Sequence, residues 1–242
     1  MTDAIEHPHF TVIDDFLDEE TWTGLWSDFQ FMDLLPVSRT GGAWKLEDGI
    51  PLGGRESVLD RASREAVLMA GEKPAFEEHW GPVGDPIAAL LRQVISSKAH
   101  ARLIDDNWVR LAGRAYVYPR DTGLSWHVDD HDLYAGAFIY YAHPLWDAHF
   151  GGELLIGEML ESEPDDELPI MAYRFETESY SQRLMEVGCG QFILPKPNRL
   201  VLLSGAPHMI AKVSAAAGQN IRASVAGFFL RPGADEAIRG KS

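Results

Sequence analysis

Residues 199–213 read RLVLLSGAPHMIAKV, and this stretch decides what kind of fold the chain can form. Two short apolar runs flank the turn sequence SGAP, and runs of this length bounded by Gly, Pro and Ser are typical of β-strands. Comparable runs follow one another, with turn residues between them, at 109–118, 135–141, 153–156, 192–194 and 221–230. Many short strands with few helices between them predict an antiparallel sandwich or jelly roll.

The part of the chain before residue 108 is predicted to supply helices and loops around these strands. Residues 10–16 alternate as a strand does, and Asp18 is a suitable N-cap for the amphipathic helix that follows. Asp85, with a proline after it, caps a second helix whose apolar residues fall on one face. Residues 36–84 are rich in Gly and Pro, so we expect mainly loops there, with a short helix at 63–70.

No internal repeat or low-complexity linker divides the sequence, which therefore predicts one mainly β domain with flanking helices over residues 1–242. Residues 1–107 would supply the N-terminal strand together with supporting helices and loops that pack on the β core. Residues 108–232 would form that core, and the motifs that indicate chemistry all lie within it.

The overall composition excludes several classes of protein. A hydrophobic share of 45% over 242 residues is ordinary for a globular protein, and no apolar run approaches the roughly 20 residues of a membrane span. The formal net charge of −16 disfavours nucleic acid as a partner, since phosphate binding relies on Lys and Arg. The single cysteine, Cys189, cannot form an internal disulfide, and no signal peptide is visible, so we expect a cytoplasmic protein. The oligomeric state stays open.

A metal site is indicated by the sequence WHVD, in which His127 and Asp129 are two residues apart. In an extended segment such side chains point to the same face, so both can reach one ion. His208 follows an apolar strand and its turn, where a third ligand can arrive from a neighbouring strand. Two histidines and one carboxylate occupy one face of an octahedral iron and leave positions open for a chelating cosubstrate and O2.

An anion site is indicated by Arg222 and Ser224, which share one face of the predicted strand at 221–230. A buried arginine is costly without an anionic partner, and its guanidinium matches the two oxygens of a carboxylate. A hairpin at 217–220 is expected to bring this strand back beside His208. A dicarboxylate could then bind the metal at one end and Arg222 at the other.

Each of these signals is weak by itself. An H-x-D triplet arises often by chance, a single histidine is more often a surface or hydrogen-bonded core residue, and a strand arginine is more often half of a structural ion pair. Two other classes of function therefore stay open. One is a non-catalytic cupin-like barrel that binds a metal or a sugar, and the other is a metal-dependent hydrolase or isomerase. The order of the signals along the chain favours an oxygenase.

Residues 118–230 resemble the catalytic core of the prolyl 4-hydroxylase-like class of 2-oxoglutarate/Fe(II) dioxygenases. The resemblance is carried by Tyr118-Pro119 and Gly123 before HVDD at 127–130, by IYY at 139–141 with WD at 146–147, and by GGEL at 151–154. The opening HPHFTVIDDFLDEETW, residues 7–22, is also similar to the start of such proteins. The resemblance implies that the core is a double-stranded β-helix.

The same resemblance implies a set of site residues. The metal ligands, which are also the catalytic residues, would be His127, Asp129 and His208. The residues around the cosubstrate 2-oxoglutarate would be Arg222, Tyr141, Tyr118 and Ser224. Fe(II) and O2 are implied as well, with ascorbate as a candidate reductant, and the reaction would hydroxylate a C–H bond while 2-oxoglutarate is decarboxylated to succinate. Related halogenases replace the metal carboxylate by Gly or Ala, so Asp129 favours hydroxylation.

The sequence predicts the class of substrate less specifically than it predicts the reaction. A small molecule such as a free amino acid or a biosynthetic intermediate comes first, because no segment indicates a protein-recognition module; a prolyl or other residue of a peptide or protein comes second. Trp126 and Trp146 are candidates for the substrate pocket, although buried packing is the commoner role of tryptophan. The loops at 36–61 and the acidic run at 158–167 are candidate lids.

Overall fold

The computed structural model describes residues 4–37, 44, 46–61, 85–129, 132–158 and 184–234. Two α-helices lie with both ends in these ranges, α1 (Glu19–Phe29) and α2 (Pro86–Ser97), and residues 184–187 are helical as well. The strands are β1 (Ile5–Glu6), β2 (Phe10–Ile13), β3 (Leu35–Pro36), β4 (Leu52–Asp60), β5 (Arg110–Tyr118), β6 (Leu124–His127), β7 (Tyr134–Tyr141), β8 (Leu154–Gly157), β9 (Gly190–Ile193), β10 (Leu200–Leu203), β11 (His208–Ile210) and β12 (Arg222–Leu230).

The strands form two sheets whose neighbours run antiparallel. The larger sheet has eight strands in the order β1-β2-β10-β7-β12-β5-β4-β3, and the smaller sheet has four in the order β6-β11-β8-β9. Most neighbouring strands come from distant parts of the chain, which is the pattern of a jelly roll. The prediction of a mainly β fold with flanking helices is confirmed.

Strand β12 lies in the middle of the larger sheet and shows how its two faces differ. Alternate residues of a strand point to opposite faces. Ala223, Val225 and Phe229 are buried in the hydrophobic core on the side of the two helices. The positions between them, beginning with Arg222 and Ser224, point toward the smaller sheet. The two polar side chains of this otherwise apolar strand, Arg222 and Ser224, therefore both enter the space between the two sheets.

Both helices begin where the sequence predicts an N-cap. The Asp18 carboxylate accepts a hydrogen bond from the N–H of Thr21, and the Asp85 carboxylate accepts one from the N–H of Ile87. Such caps stabilise a helix by about 1 kcal/mol each. Helix α2 packs on β4 and β5 through its buried side chains, which are Ile87, Ala88, Leu90, Leu91, Val94 and Ile95. Within the described residues, neither helix has the length and apolar character that crossing a membrane requires.

The structure differs from two expectations for the connecting segments. The loop prediction for residues 36–84 misses β4, whose sequence LGGRESVLD has a weak strand pattern but pairs along β5, so tertiary pairing outweighs the local signal. The predicted hairpin at 217–220 is also wrong, because β11 pairs in the smaller sheet and β12 in the larger one. A 3-10 turn, Ala215–Ala217, followed by Gly218 at φ +61°, leads the chain from one sheet to the other. The predicted helix at 63–70 lies outside the described residues.

Candidate metal centre

His127 and His208 face each other across the smaller sheet. His127 ends β6, His208 begins β11, and the two residues are direct partners in the antiparallel register. Their ring centroids lie 4.2 Å apart, and both side chains are buried. Asp129 lies two residues after the end of β6, with Oδ1 3.9 Å from His127 Nε2 and Oδ2 3.9 Å from His208 Nε2. The three ligand atoms lie within 4.8 Å of one another, so the segments predicted as a metal site do meet.

Backbone carbonyl groups orient both imidazole rings in the same way. His127 Nδ1 lies 2.8 Å from the carbonyl oxygen of Ser125, and His208 Nδ1 lies 2.9 Å from that of Ala206. A carbonyl oxygen can only accept, so each Nδ1 carries the proton and each Nε2 keeps its lone pair. Both lone pairs are therefore available on the side of Asp129, which is the arrangement found around protein-bound metals.

Asp48 holds the strand segment that carries His127. It is buried in the 3-10 turn Leu46–Asp48, and its Oδ1 accepts hydrogen bonds from the Ser125 N–H at 2.8 Å and the Ser125 hydroxyl at 2.5 Å. The carbonyl of Ser125 then accepts from His127 Nδ1. A carboxylate from the N-terminal part of the chain thereby supports the orientation of a ligand in the β core. Nothing in the sequence near Asp48 indicates this link.

The chemistry of this cluster fits an Fe(II) ion. Two neutral imidazoles and one carboxylate on one side of a point are the ligand set of non-haem iron oxygenases, and they leave positions open on the other side. Asp129 Oδ2 is buried and has no hydrogen-bond partner. A buried carboxylate oxygen without a donor is costly, and a bound cation would remove that cost. These three residues would therefore hold the metal.

Arg222 lies on the larger sheet with its guanidinium completely buried. Its Nε donates to the carbonyl of Gly152 at 2.9 Å, and its Nη1 donates to the Ser224 hydroxyl at 3.3 Å. The rings of Tyr118 and Tyr141 lie on it, with centroids 4.8 and 4.9 Å from Cζ. Its Nη2 has no hydrogen-bond partner. The predicted anion-binding group is thus fixed in place while one donor stays unused.

The hydroxyl of Tyr141 is the second unused donor at this place, since it too is buried without a hydrogen-bond partner. Burial raises the pKa of Tyr141 and of Tyr118; the charge of Arg222 opposes this in both, and the close approach of its guanidinium to the Tyr141 hydroxyl opposes it further. The Tyr141 hydroxyl is therefore protonated at neutral pH and able to donate. Two buried donors beside a positive charge fit one carboxylate group.

Gly152, the second glycine of the GGEL sequence, makes room for Arg222. Its φ is +73°, and a Cβ at this position would lie 2.8 Å from Arg222 Cδ. Its carbonyl is also the acceptor for Arg222 Nε. The residue must combine a left-handed conformation with close approach of a side chain, which only glycine does without strain.

His143 and Trp146 lie behind this anion site as packing residues. His143 Nε2 donates to the carbonyl of Pro195 at 2.7 Å, and its Nδ1 accepts from the N–H of Ala223 at 3.2 Å. Burial lowers the pKa of His143 to about 4, so the ring is neutral and fully hydrogen-bonded. The Trp146 ring lies 4.8 Å from the His143 ring and donates from Nε1 to the carbonyl of Gly151.

A cavity of about 230 Å³ opens between the two sheets beside the metal ligands. Trp126 and Trp146, the predicted pocket residues, are not among the described residues that line it. Its aromatic lining consists of side chains that no motif singles out: Trp44, Tyr116, Tyr134 and Phe228, with Tyr118 between the cavity and Arg222. Tyr116 could have been found from its place two residues before Tyr118 on the same strand face.

Comparisons with known proteins agree with this architecture. No protein-family model matches the chain, and no curated protein matches it in sequence. Solved structures match in fold. A prolyl-4-hydroxylase from Pseudomonas putida is 17% identical with a TM-score of 0.55, and the match covers 92% of this chain and 94% of that one. A prolyl hydroxylase from Trichoplax adhaerens, in complex with a hypoxia inducible factor oxygen degradation domain peptide fragment, is 18% identical with a TM-score of 0.53, covering 97% and 87%. The chain therefore has the double-stranded β-helix fold of the prolyl 4-hydroxylase-like oxygenases.

Proposed function

We propose that the protein is an Fe(II)- and 2-oxoglutarate-dependent dioxygenase that hydroxylates a C–H bond of its substrate. The observation that carries the proposal is the pair of unpaired donors, Arg222 Nη2 and the Tyr141 hydroxyl, buried together on the larger sheet. On the smaller sheet lies a His-Asp-His cluster with metal-ligand geometry. A dicarboxylate that chelates the metal through its keto-acid end would also offer its second carboxylate to the two unpaired donors, Arg222 Nη2 and the Tyr141 hydroxyl.

The roles of the residues follow from their contacts. His127, Asp129 and His208 would hold the iron. The bound iron would oxidise a C–H bond of the substrate while 2-oxoglutarate is decarboxylated to succinate. Arg222 and Tyr141 would bind the far carboxylate of the cosubstrate. The residues that hold and surround them are Ser224, Gly152 and Tyr118. Because these side chains are buried, they exclude water from the cosubstrate and strengthen each charge interaction in the site.

The reaction class and the substrate class have different support. Asp129 fills the position that a halogenase would leave free for halide, which favours hydroxylation. For the substrate, a small molecule such as an amino acid or a biosynthetic intermediate is the first hypothesis, and a residue in a peptide or protein is the second. The Trichoplax adhaerens relative in fold is described with a bound peptide fragment, which supports the second hypothesis.

A barrel that only binds a metal or a sugar is the main alternative. In such a protein Arg222 would be structural, and a structural buried arginine normally has all its donors paired. Arg222 Nη2 has no hydrogen-bond partner, and neither has the Tyr141 hydroxyl beside it. This observation favours a bound anion over a purely structural role. A hydrolase or isomerase on the same fold would need neither O2 nor 2-oxoglutarate.

The proposal is tested by adding Fe(II) and 2-oxoglutarate to the protein without oxygen. We expect a weak visible charge-transfer band, followed by succinate formation when O2 and substrate are added. Asp129→Ala should lose both, while the matched control Asp28→Ala, at an exposed position of α1, should keep them. A folded protein that gives no band, or a band that Asp129→Ala leaves unchanged, contradicts the proposal.

A further inference from the structure

A second arginine, Arg114, lies on the same face of the larger sheet as the anion site. Alternate residues of β5 point to opposite faces, so Arg114 shares its face with Tyr116 and Tyr118, which line the cavity. Arg114 is the direct partner of Ala226 on β12, which also lines the cavity. Tyr118 is the partner of Arg222 in the same ladder, so the two arginines are four strand positions apart, about 13 Å along the sheet.

The surroundings of Arg114 repeat those of Arg222. The Nε of Arg222 donates to the carbonyl of Gly152, and the missing side chain of that glycine makes room for the arginine. The Nε of Arg114 donates to the carbonyl of Gly54. A Cβ at the neighbouring Gly53 would lie 3.1 Å from Arg114 Nε and 3.2 Å from its Cζ and Nη2. Two adjacent glycines therefore give Arg114 the same acceptor and the same room.

A tyrosine beside each arginine extends the likeness. Arg114 Cζ lies 5.8 Å from the centroid of the Tyr116 ring, and two tyrosine rings lie on Arg222 in a similar way. Burial raises the pKa of Tyr116 and the charge of Glu56 adds to this, whereas the charge of Arg114 and the close approach of its guanidinium to the hydroxyl oppose it. The Tyr116 hydroxyl is therefore protonated at neutral pH, and it can donate to an anion beside the guanidinium.

The terminal nitrogen atoms of Arg114 have no carboxylate partner in the part of the chain that the structure describes. Glu56 is its direct partner on β4 but is exposed and forms no ion pair with it. Opposite charges across a ladder normally stabilise a sheet, so an arginine with a purely structural role would be expected to pair with Glu56. The guanidinium is instead held at Nε while its two outer nitrogen atoms stay available, and these match the two oxygens of a carboxylate.

We propose that Arg114 and Tyr116 bind a carboxylate of the substrate at the side of the cavity away from Arg222. This inference rests on the proposed function, because it names residues that determine the substrate specificity of the same site. The five-carbon chain of 2-oxoglutarate is too short to bridge about 13 Å of strand, so the anion at Arg114 belongs to a second molecule. The carboxylate can be that of a free small acid or that of an acidic residue in a peptide.

The test follows anion binding at single arginines by NMR of the full chain labelled with 15N at arginine. The protein is loaded with redox-inert Zn(II) and 2-oxoglutarate, and acetate is then titrated, with acetamide as its uncharged match. Arg114→Lys and Arg55→Lys assign the two Nε–H signals. We expect the apparent Kd of acetate to be at least about tenfold lower at Arg114 than at Arg55, an exposed arginine of β4. Acetamide should leave the Arg114 signal in place.

A substitution at Tyr116 shows whether both groups bind the anion. Tyr116→Phe keeps the ring and removes the hydroxyl, so it should raise the apparent Kd of acetate at Arg114 about tenfold. Tyr134→Phe is the matched control, because the Tyr134 ring also lines the cavity but stacks on Phe228. It should leave the apparent Kd unchanged. Thermal unfolding of both variants checks that the fold is kept.

Two pairs of larger compounds distinguish the sources of the carboxylate. N-acetyl-L-alanine and its amide represent a free small acid. The methylamides of N-acetyl-L-alanyl-L-glutamate and of its glutamine counterpart represent an acidic residue in a peptide. We expect the acid of at least one pair to shift the Arg114 signal at a lower concentration than its amide, and that pair names the source.

Three results would overturn the inference: an Arg114 signal that responds to acetate no more strongly than that of Arg55, a response that Tyr116→Phe does not weaken, or acids that bind no better than their amides in both pairs. These results are independent of oxygenase activity, because the Zn(II) protein performs no oxidation. Failure of the proposed function is recognised separately, by the missing charge-transfer band with Fe(II) and 2-oxoglutarate.

Discussion

Arg222 is the residue whose surroundings say most about the site. It is fixed by the Gly152 carbonyl and the Ser224 hydroxyl, and it lies between two tyrosine rings, yet one of its nitrogen atoms has no partner. Holding a buried cation so firmly stabilises the fold little by itself. The arrangement is understandable if an anion completes the set of hydrogen bonds.

Arg222→Ala should raise the apparent Kd of 2-oxoglutarate about 10- to 100-fold, because a hydrogen bond to a charged group contributes roughly 1.5–3 kcal/mol. The Kd is measured by titrating the charge-transfer band of the Fe(II) protein without oxygen. Arg231→Ala is the matched control, since Arg231 pairs with Asp105 at the surface. A folded Arg222→Ala protein with unchanged cosubstrate affinity would remove Arg222 from this role.

Residues with rare chemistry could be predicted from the sequence, whereas residues that only shape the space could not. His127, Asp129 and Arg222 stand out because metal ligands and buried charges need particular residue types at particular spacings. Trp44 and Phe228 line the cavity, but an aromatic residue facing a cavity has the same sequence pattern as one packed in a core. Which role it has depends on distant neighbours in the fold.

At the scale of single elements, the 3-10 turn Leu46–Asp48 acts as a support for β6. Asp48 fixes the backbone of Ser125, and Ser125 in turn orients the ring of His127. The turn belongs to the N-terminal part of the chain, and it also receives the N–H of Gly123 at the Asp48 carbonyl. The position of a metal ligand thus depends on a segment far from it in sequence.

Asp48→Ala should weaken metal binding about 10- to 100-fold, as is typical when a residue that supports a metal ligand is lost. Binding of Fe(II) or Zn(II) is measured by calorimetry, and thermal unfolding without metal checks the fold. Asp48→Asn keeps an oxygen acceptor for Ser125 and should recover most of the affinity. Glu47→Ala is the control at the neighbouring exposed position. Equal metal affinity in all four proteins would show that Asp48 supports the turn alone.

Whether a helix or strand could be predicted depends on whether its sequence signal lies within a few neighbouring residues. Helices α1 and α2 could be predicted because an N-cap and an apolar stripe lie within a few residues of each other. Strand β4 was missed because its pairing with β5 compensates for a weak pattern. The hairpin at 217–220 was wrong because a turn sequence does not tell whether the next strand joins the same sheet or the opposite one.

At the scale of the whole molecule, the burial of His143 links stability to pH. Burial lowers its pKa from the ordinary 6.5 to about 4, so the unfolded chain binds this proton more readily than the folded protein does. The contribution of neutral His143 to the free energy of unfolding is complete above the pKa that this side chain has in the unfolded chain. It is lost as the pH falls from 6.5 to about 4.

We expect the free energy of unfolding to fall by about 3 kcal/mol across this window through His143 alone. Urea unfolding at several pH values measures it. His143→Gln can still donate to the Pro195 carbonyl but does not titrate, so its stability should depend less on pH. His149→Gln, at an exposed position, should behave as the unaltered protein does. An unchanged pH profile in His143→Gln would contradict the assignment.

The two histidine ligands belong to the smaller sheet and Asp129 follows its strand β6, whereas Arg222, Tyr141 and Tyr118 belong to the larger sheet. A cosubstrate held at both ends would therefore act as a reversible cross-link between the two sheets. Amide hydrogen exchange should reveal it: metal alone would slow exchange in β6 and β11, and 2-oxoglutarate with metal would extend the protection to β12. Each turnover would convert the cosubstrate into succinate, which is one carbon shorter. The catalytic cycle would therefore alternately link the two sheets and release them.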